Sequence, residues 1–157
     1  MRRRGTYLVA TLIAPLWVLR RAEQDPASVP PYALRKTKEV AAAHQASFRR
    51  AVEKGVRIAM GTDTGVGPHG TNAEELAQMV AAGLSPMAAL IATTRTAAEC
   101  VCLGHLTGTL EAGKRADLLV VDGDPLANIA ILQDRDRLRL IMKDGAPFKD
   151  TLSHAGQ

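Results

Sequence analysis

The residue with the clearest chemical potential is Asp63, in the run Gly61-Thr62-Asp63-Thr64-Gly65. A carboxylate in a glycine-flanked turn can ligate a divalent metal or move a proton at a reacting centre. It can equally cap the amides of its own turn and do no chemistry. His69 follows in Gly67-Pro68-His69-Gly70, within the same stretch. An imidazole there can contact a substrate or be an ordinary loop side chain, and residue type does not choose between the two. The chain holds four histidines, His44, His69, His105 and His154, and no two of them form a His-x-His pair. His44 falls on the apolar stripe of an expected helix and reads as a packing residue. His105 follows a helix end, where it should meet the last carbonyls, and His154 lies in a polar tail. Cys100 and Cys102 point to different sides of any helix that carries both, so they read as buried thiols rather than one metal's ligands or a bridge.

An element must present Asp63. Val56, Ile58 and Met60 alternate with Arg57 and Ala59, which predicts a strand over Val56–Met60 that ends just before the glycine-rich run. The preceding helix is expected over Leu34–Lys54, with Val40, His44, Phe48, Ala51 and Val52 on one stripe and Gly55 as its stop. Gln24–Tyr32, with Asp25-Pro26 and Pro30-Pro31, reads as a loop. Further upstream, Met1-Arg2-Arg3-Arg4-Gly5 and the apolar run Thr6–Leu19 allow two readings. One is a secretory signal, which would export the chain. The other is a buried strand over Thr6–Thr11, preferred because Arg20-Arg21-Ala22-Glu23 follows instead of a cleavage site, and consistent with the cytoplasm. The run is too short to span a bilayer.

Downstream, Thr71 and Glu74 fit a capping box that opens a helix with Leu76, Met79 and Val80 on its apolar face and Gly83 at its end. Ser85 and Pro86 open a second helix, whose pattern of Met87, Leu90, Ile91, Thr94, Ala98 and Val101 runs to Gly104. The pattern then changes to strands over Leu118–Val121 and Leu138–Met142, the latter followed by an Asp144-Gly145 turn. Strand–helix alternation before Gly104 predicts an α/β fold with parallel strands. Two strands do not close a barrel, which needs about eight.

The chain is 157 residues with 46% hydrophobic and 23% charged residues, a globular balance, and only 3% aromatics, so aliphatic side chains must build the core. The net charge of +4 comes largely from arginines clustered near both ends, with no aromatics interleaved within the clusters, which argues against nucleic acid as a partner.

Three segments in order carry a resemblance. Gly55-Val56-Arg57-Ile58-Ala59-Met60-Gly61-Thr62-Asp63 is similar to the last barrel strand of the metal-dependent amidohydrolase superfamily. Pro86-Met87-Ala88-Ala89-Leu90-Ile91-Ala92-Thr93 resembles the helix that follows. Thr107-Gly108-Thr109-Leu110-Glu111-Ala112-Gly113-Lys114-Arg115-Ala116-Asp117-Leu118-Leu119-Val120-Val121-Asp122 looks like the segment where that family leaves its barrel for a small β-sandwich. Pro68-His69-Gly70-Thr71-Asn72 points to the imidazolonepropionase-like and Xaa-Pro-dipeptidase-like branch.

The resemblance implies a C-terminal portion of such an enzyme. Residues 1–106 would give the last two strands and helices of a TIM-like (β/α)8 barrel, residues 107–150 part of the β-sandwich, and residues 151–157 a disordered tail. It implies a reaction at amide, cyclic amide or dipeptide C–N bonds by metal-activated water, with one or two divalent ions, usually zinc. Asp63 would be both metal ligand and proton carrier, and His69 a substrate contact. Asp117 would fix the barrel-to-sandwich junction, with Asp122 also non-catalytic. The family's His-x-His pair and middle-barrel ligands are not in this chain, so its partner would be the upstream half of the barrel, and the chain alone would be inactive. A non-catalytic remnant of the same fold is the alternative, and a homo-oligomer is compatible with either.

Overall fold

The computed structural model describes residues 1–152, so the expectations for His154 and for most of the tail lie outside the described residues. Strand β1 (Tyr7–Val9) leads into helix α1 (Ile13–Gln24), a 3-10 turn (Pro26–Ser28), helix α2 (Pro31–Glu53) and strand β2 (Arg57–Ala59). Helices α3 (Glu74–Ala81), α4 (Pro86–Thr93) and α5 (Arg95–Cys100) follow. Strands β3 (Leu118–Val121), β4 (Leu138–Lys143) and β5 (Ala146–Asp150) end the fold.

β1 and β2 pair in parallel, Tyr7 with Arg57, Leu8 with Ile58 and Val9 with Ala59. Both are shorter than the spans Thr6–Thr11 and Val56–Met60 expected from the sequence. α1 was not expected as a helix. Ile13, Ala14 and Trp17 give it one buried face, and Pro15 sits in its first turn, where a missing N–H costs nothing. Met60 continues β2's direction, its amide bonded to the Ala92 carbonyl of α4 at 3.0 Å. Arg57 stacks on the Tyr7 ring at 4.2 Å and pairs with Glu99 of α5 at 2.6 Å, tying strand to helix on the outer side.

The core lies between the two-stranded sheet and the helices. Phe48 of α2, Ile58 of β2, Leu76 and Met79 of α3, and Ala89 and Ala92 of α4 meet there, joined by Ile129 from a 3-10 turn (Ile129–Gln133) of the C-terminal segment. With so few aromatics, Phe48 is the largest side chain in the cluster, and truncating such a residue costs about 3–5 kcal/mol.

Several expectations need correction. Thr71 and Glu74 do not form a capping box: Ala73 precedes the helix without a side-chain cap. The Thr71 hydroxyl donates to the Pro68 carbonyl at 2.9 Å and Glu74 binds Arg20 at 2.5 Å, so each side chain is drawn to a partner outside the helix end. The long helix from Ser85 to Gly104 is broken at Thr94, where φ and ψ are −107° and −90°. The Thr93 and Thr94 hydroxyls both bond back to carbonyls four residues earlier, at 2.8 Å, a habit that disfavours helix continuation. Cys102 is exposed at positive φ and Cys100 half-buried, not buried as expected; they lie outside the core because the helix ends between them. The Ser85 cap holds, its hydroxyl accepting from Ala88 N at 3.2 Å, and Gly83 follows α3 at φ 112°.

β3, β4 and β5 form an antiparallel sheet, with Leu118 opposite Met142. β5 was not foreseen: Ala146, Pro147 and Lys149 carry no alternating pattern. Asp117 locks the entry to this sheet. Its carboxylate accepts from the Thr107 hydroxyl at 3.0 Å and the Asp144 amide at 2.7 Å, and these bonds, the amide first, hold it below the usual carboxylate range. The Asp122 carboxylate, at the far end of β3, makes a surface pair with Arg139 at 3.7 Å.

Candidate active site

Asp63 stands just beyond the end of β2, where the chain must cross the end of β1. A Cβ at Gly61 would lie 2.4 Å from Val9 Cγ1, so only glycine allows the crossing. Thr62 is then buried, while Asp63 turns outward, exposed, with φ at 55°. Aspartate is one of the few side chains that enter the left-handed region readily. The turn is closed by the Val66 amide on the Asp63 carbonyl at 3.1 Å. Beneath it, the hydroxyls of Thr62 and Thr64 meet at 2.6 Å, and the side-chain amide of Asn72 donates to Thr64 at 3.0 Å and Thr62 at 3.3 Å.

The loop then rests on α1. Gly67 lies against the Trp17 indole so closely that a Cβ would fall 1.9 Å from Trp17 Cδ2. Trp17 is buried, and its Nε1–H has no partner. A cavity of about 440 Å³ opens beside it between α1 and the loop residues Gly65–Pro68. His69 is exposed on the same loop.

Two residues brace the equivalent turn after β1. Glu75 of α3 is fully buried, and its carboxylate accepts the Leu12 and Ile13 amides at 2.8 and 2.7 Å. It thereby caps α1, which has no side-chain cap of its own. Burial pushes the Glu75 carboxyl up from its ordinary value, opposed by those two amides and by nearby His44. His44 Nε2 lies 2.7 Å from the Ala10 carbonyl, the packing role expected of it. His105 is exposed. Glu75 escaped the sequence reading, although it carried a signal: it is four residues before Met79, so a carboxylate falls on the apolar face of α3.

Asp63 and His69 share one loop, and no hydrogen bond or ion pair joins them. Among the described residues no group of three or more His, Cys, Asp or Glu side chains could hold a metal ion. A catalytic zinc takes about three protein ligands and a water, so these residues do not make up such a site, and Asp63 fits only as one donor of a set. Among the described residues, no helix is long and apolar enough to cross a membrane.

The model of the "Amidohydrolase family" matches residues 1–147. Ochratoxinase of Aspergillus niger is 34% identical over 116 residues, 73% of this chain and 24% of that protein. Imidazolonepropionase of Geobacillus kaustophilus is 31% identical over 103 residues, 64% of this chain and 24% of that protein. Among solved structures, a Xaa-Pro dipeptidase with bound methionine in its active site superposes with a TM-score of 0.85 at 36% identity, covering 95% of this chain and 36% of that one. The chain thus spans about a quarter of the length of the curated relatives it matches.

Proposed function

Because the chain belongs to the amidohydrolase family, we propose that it supplies the last two strands and helices of a TIM-like barrel and, with them, the catalytic aspartate for hydrolysis of a C–N bond. The observation that carries this reading is the placement of Asp63: exposed, at positive φ, beyond the C-terminal end of β2, which runs parallel to β1. In β/α barrels that end of the strands is where catalytic side chains gather.

In this role Asp63 takes a proton from the attacking water and delivers it to the leaving nitrogen, a task suited to a carboxylate held outward from a braced turn. His69, exposed on the same loop, contacts the substrate. The substrate class is an amide, cyclic amide or dipeptide. The metal, most simply zinc, belongs to a site completed by ligands outside this chain. The antiparallel sheet β3–β5 is part of a second, β-sandwich domain beginning near residue 107, and the protein works in the cytoplasm.

The test is to compare the 157-residue chain with a fusion in which it follows the upstream barrel strands of the Xaa-Pro dipeptidase that it resembles. The fusion should retain divalent metal after dialysis and hydrolyse members of a dipeptide and N-acyl amino acid panel, and the chain alone should do neither. A correctly folded fusion without metal and turnover would sink the reading.

A further inference from the structure

The side chains of Thr62, Thr64 and Asn72 form one hydrogen-bonded unit around Asp63. Thr62 and Thr64 flank Asp63, and their hydroxyls are 2.6 Å apart. One hydrogen lies between the two oxygens, so each is left with a lone pair to spare. Asn72, which comes before α3, points its two-donor amide at both, at 3.0 and 3.3 Å. Among the described residues no other hydrogen bond involves this side-chain amide, and Thr62 is a buried residue, where an unmatched hydroxyl would carry a desolvation cost. In a turn, drawing the side chains of residues 62 and 64 together on one side leaves the side chain of residue 63 on the other.

We propose that Asn72 is a positioning residue for Asp63: by tying the threonines on either side of it, it holds Asp63 in the left-handed conformation that aims the carboxylate outward. This rests on the catalytic reading of Asp63. The side-chain bonds offset the cost of a positive φ at a residue other than glycine. Asn72 acts through the two threonine hydroxyls to which its amide donates, and not through a bond of its own to the Asp63 carboxylate. The motif Thr62-Asp63-Thr64 with an asparagine eight residues after the second threonine is therefore one structural unit.

Two readouts test it, and they fail separately from the catalytic reading. In the 157-residue chain, the three-bond amide–Hα coupling and the 13C shifts of Asp63 report its left-handed conformation. Asn72→Ala and Thr64→Val should each shift them toward averaged values, and the double variant should add little beyond either single one, since all belong to one network. Unchanged Asp63 shifts in both single variants would overturn the proposal whatever the enzyme does. In the fusion, Asn72→Ala should lower kcat by about 10–100-fold, the usual effect of losing a group that orients a site ligand, with KM and melting temperature nearly unchanged. Restoring an amide with Asn72→Gln should recover part of kcat. An unaltered kcat, or a loss matched by an equal fall in melting temperature, would overturn the positioning role. A wild-type fusion without turnover would count against the catalytic reading of Asp63, and the coupling measurement would still decide the clamp.

Discussion

At the scale of single residues, two carboxylates have opposite fates. Asp63 is exposed and available for chemistry, and Glu75 is buried and structural. Asp63 was legible in the sequence because glycines flank it at a strand end. Glu75 was not, because its partners are backbone amides 62 and 63 positions away, which no local pattern shows. Its buried state has a measurable consequence. A carboxyl whose folded pKa is raised above the unfolded value binds more protons in the native state, so its contribution to stability is fully present below the unfolded value, near 4.5, and is lost as pH rises through the folded one. The difference in urea midpoint between the wild-type chain and Glu75→Gln should therefore change across the window above pH 4.5, with the wild type losing ground as pH rises. Parallel midpoints at every pH would show that Glu75 titrates alike in both states.

At the scale of elements, alternation located β2 and β4, an apolar run between glycines located β3, and helical spacing located α2 and α3. Local capping rules did worse where tertiary partners compete. Ser85 has no rival and caps α4, but Thr71 and Glu74 were claimed by Pro68 and Arg20. α1 was hidden because an apolar run of that length suits a strand as well as a helix. The contact between α1 and the loop that carries Asp63 is tight enough to test. Gly67→Ala places a methyl inside the Trp17 indole, so either the loop or the helix must move. The variant should lose about 1–3 kcal/mol in urea unfolding, the range for overpacking, and its largest amide shift changes should fall in residues 61–70. A variant as stable as wild type, with the loop signals unmoved, would show that the loop does not rest on Trp17.

At the scale of the whole molecule, the two-stranded parallel sheet is the feature that the sequence made most legible and that the fold explains least by itself. Its three-residue strands leave Val9 46% exposed, while Leu119 and Phe148 of the second sheet are exposed at 53% and 77%. What the sequence could not supply was the substrate, since specificity in such barrels rests on loops from several strands. It did single out Asp63 as the candidate reacting residue, and that is where the proposal stands or falls. The direct measurement is the initial rate of C–N hydrolysis by the fusion of upstream barrel strands with this chain, compared with the same protein carrying Asp63→Asn, at matched concentration and melting temperature. The account predicts a fall of about 10²–10⁴-fold, the size of a lost proton-transfer group. Equal rates in the two proteins would contradict it.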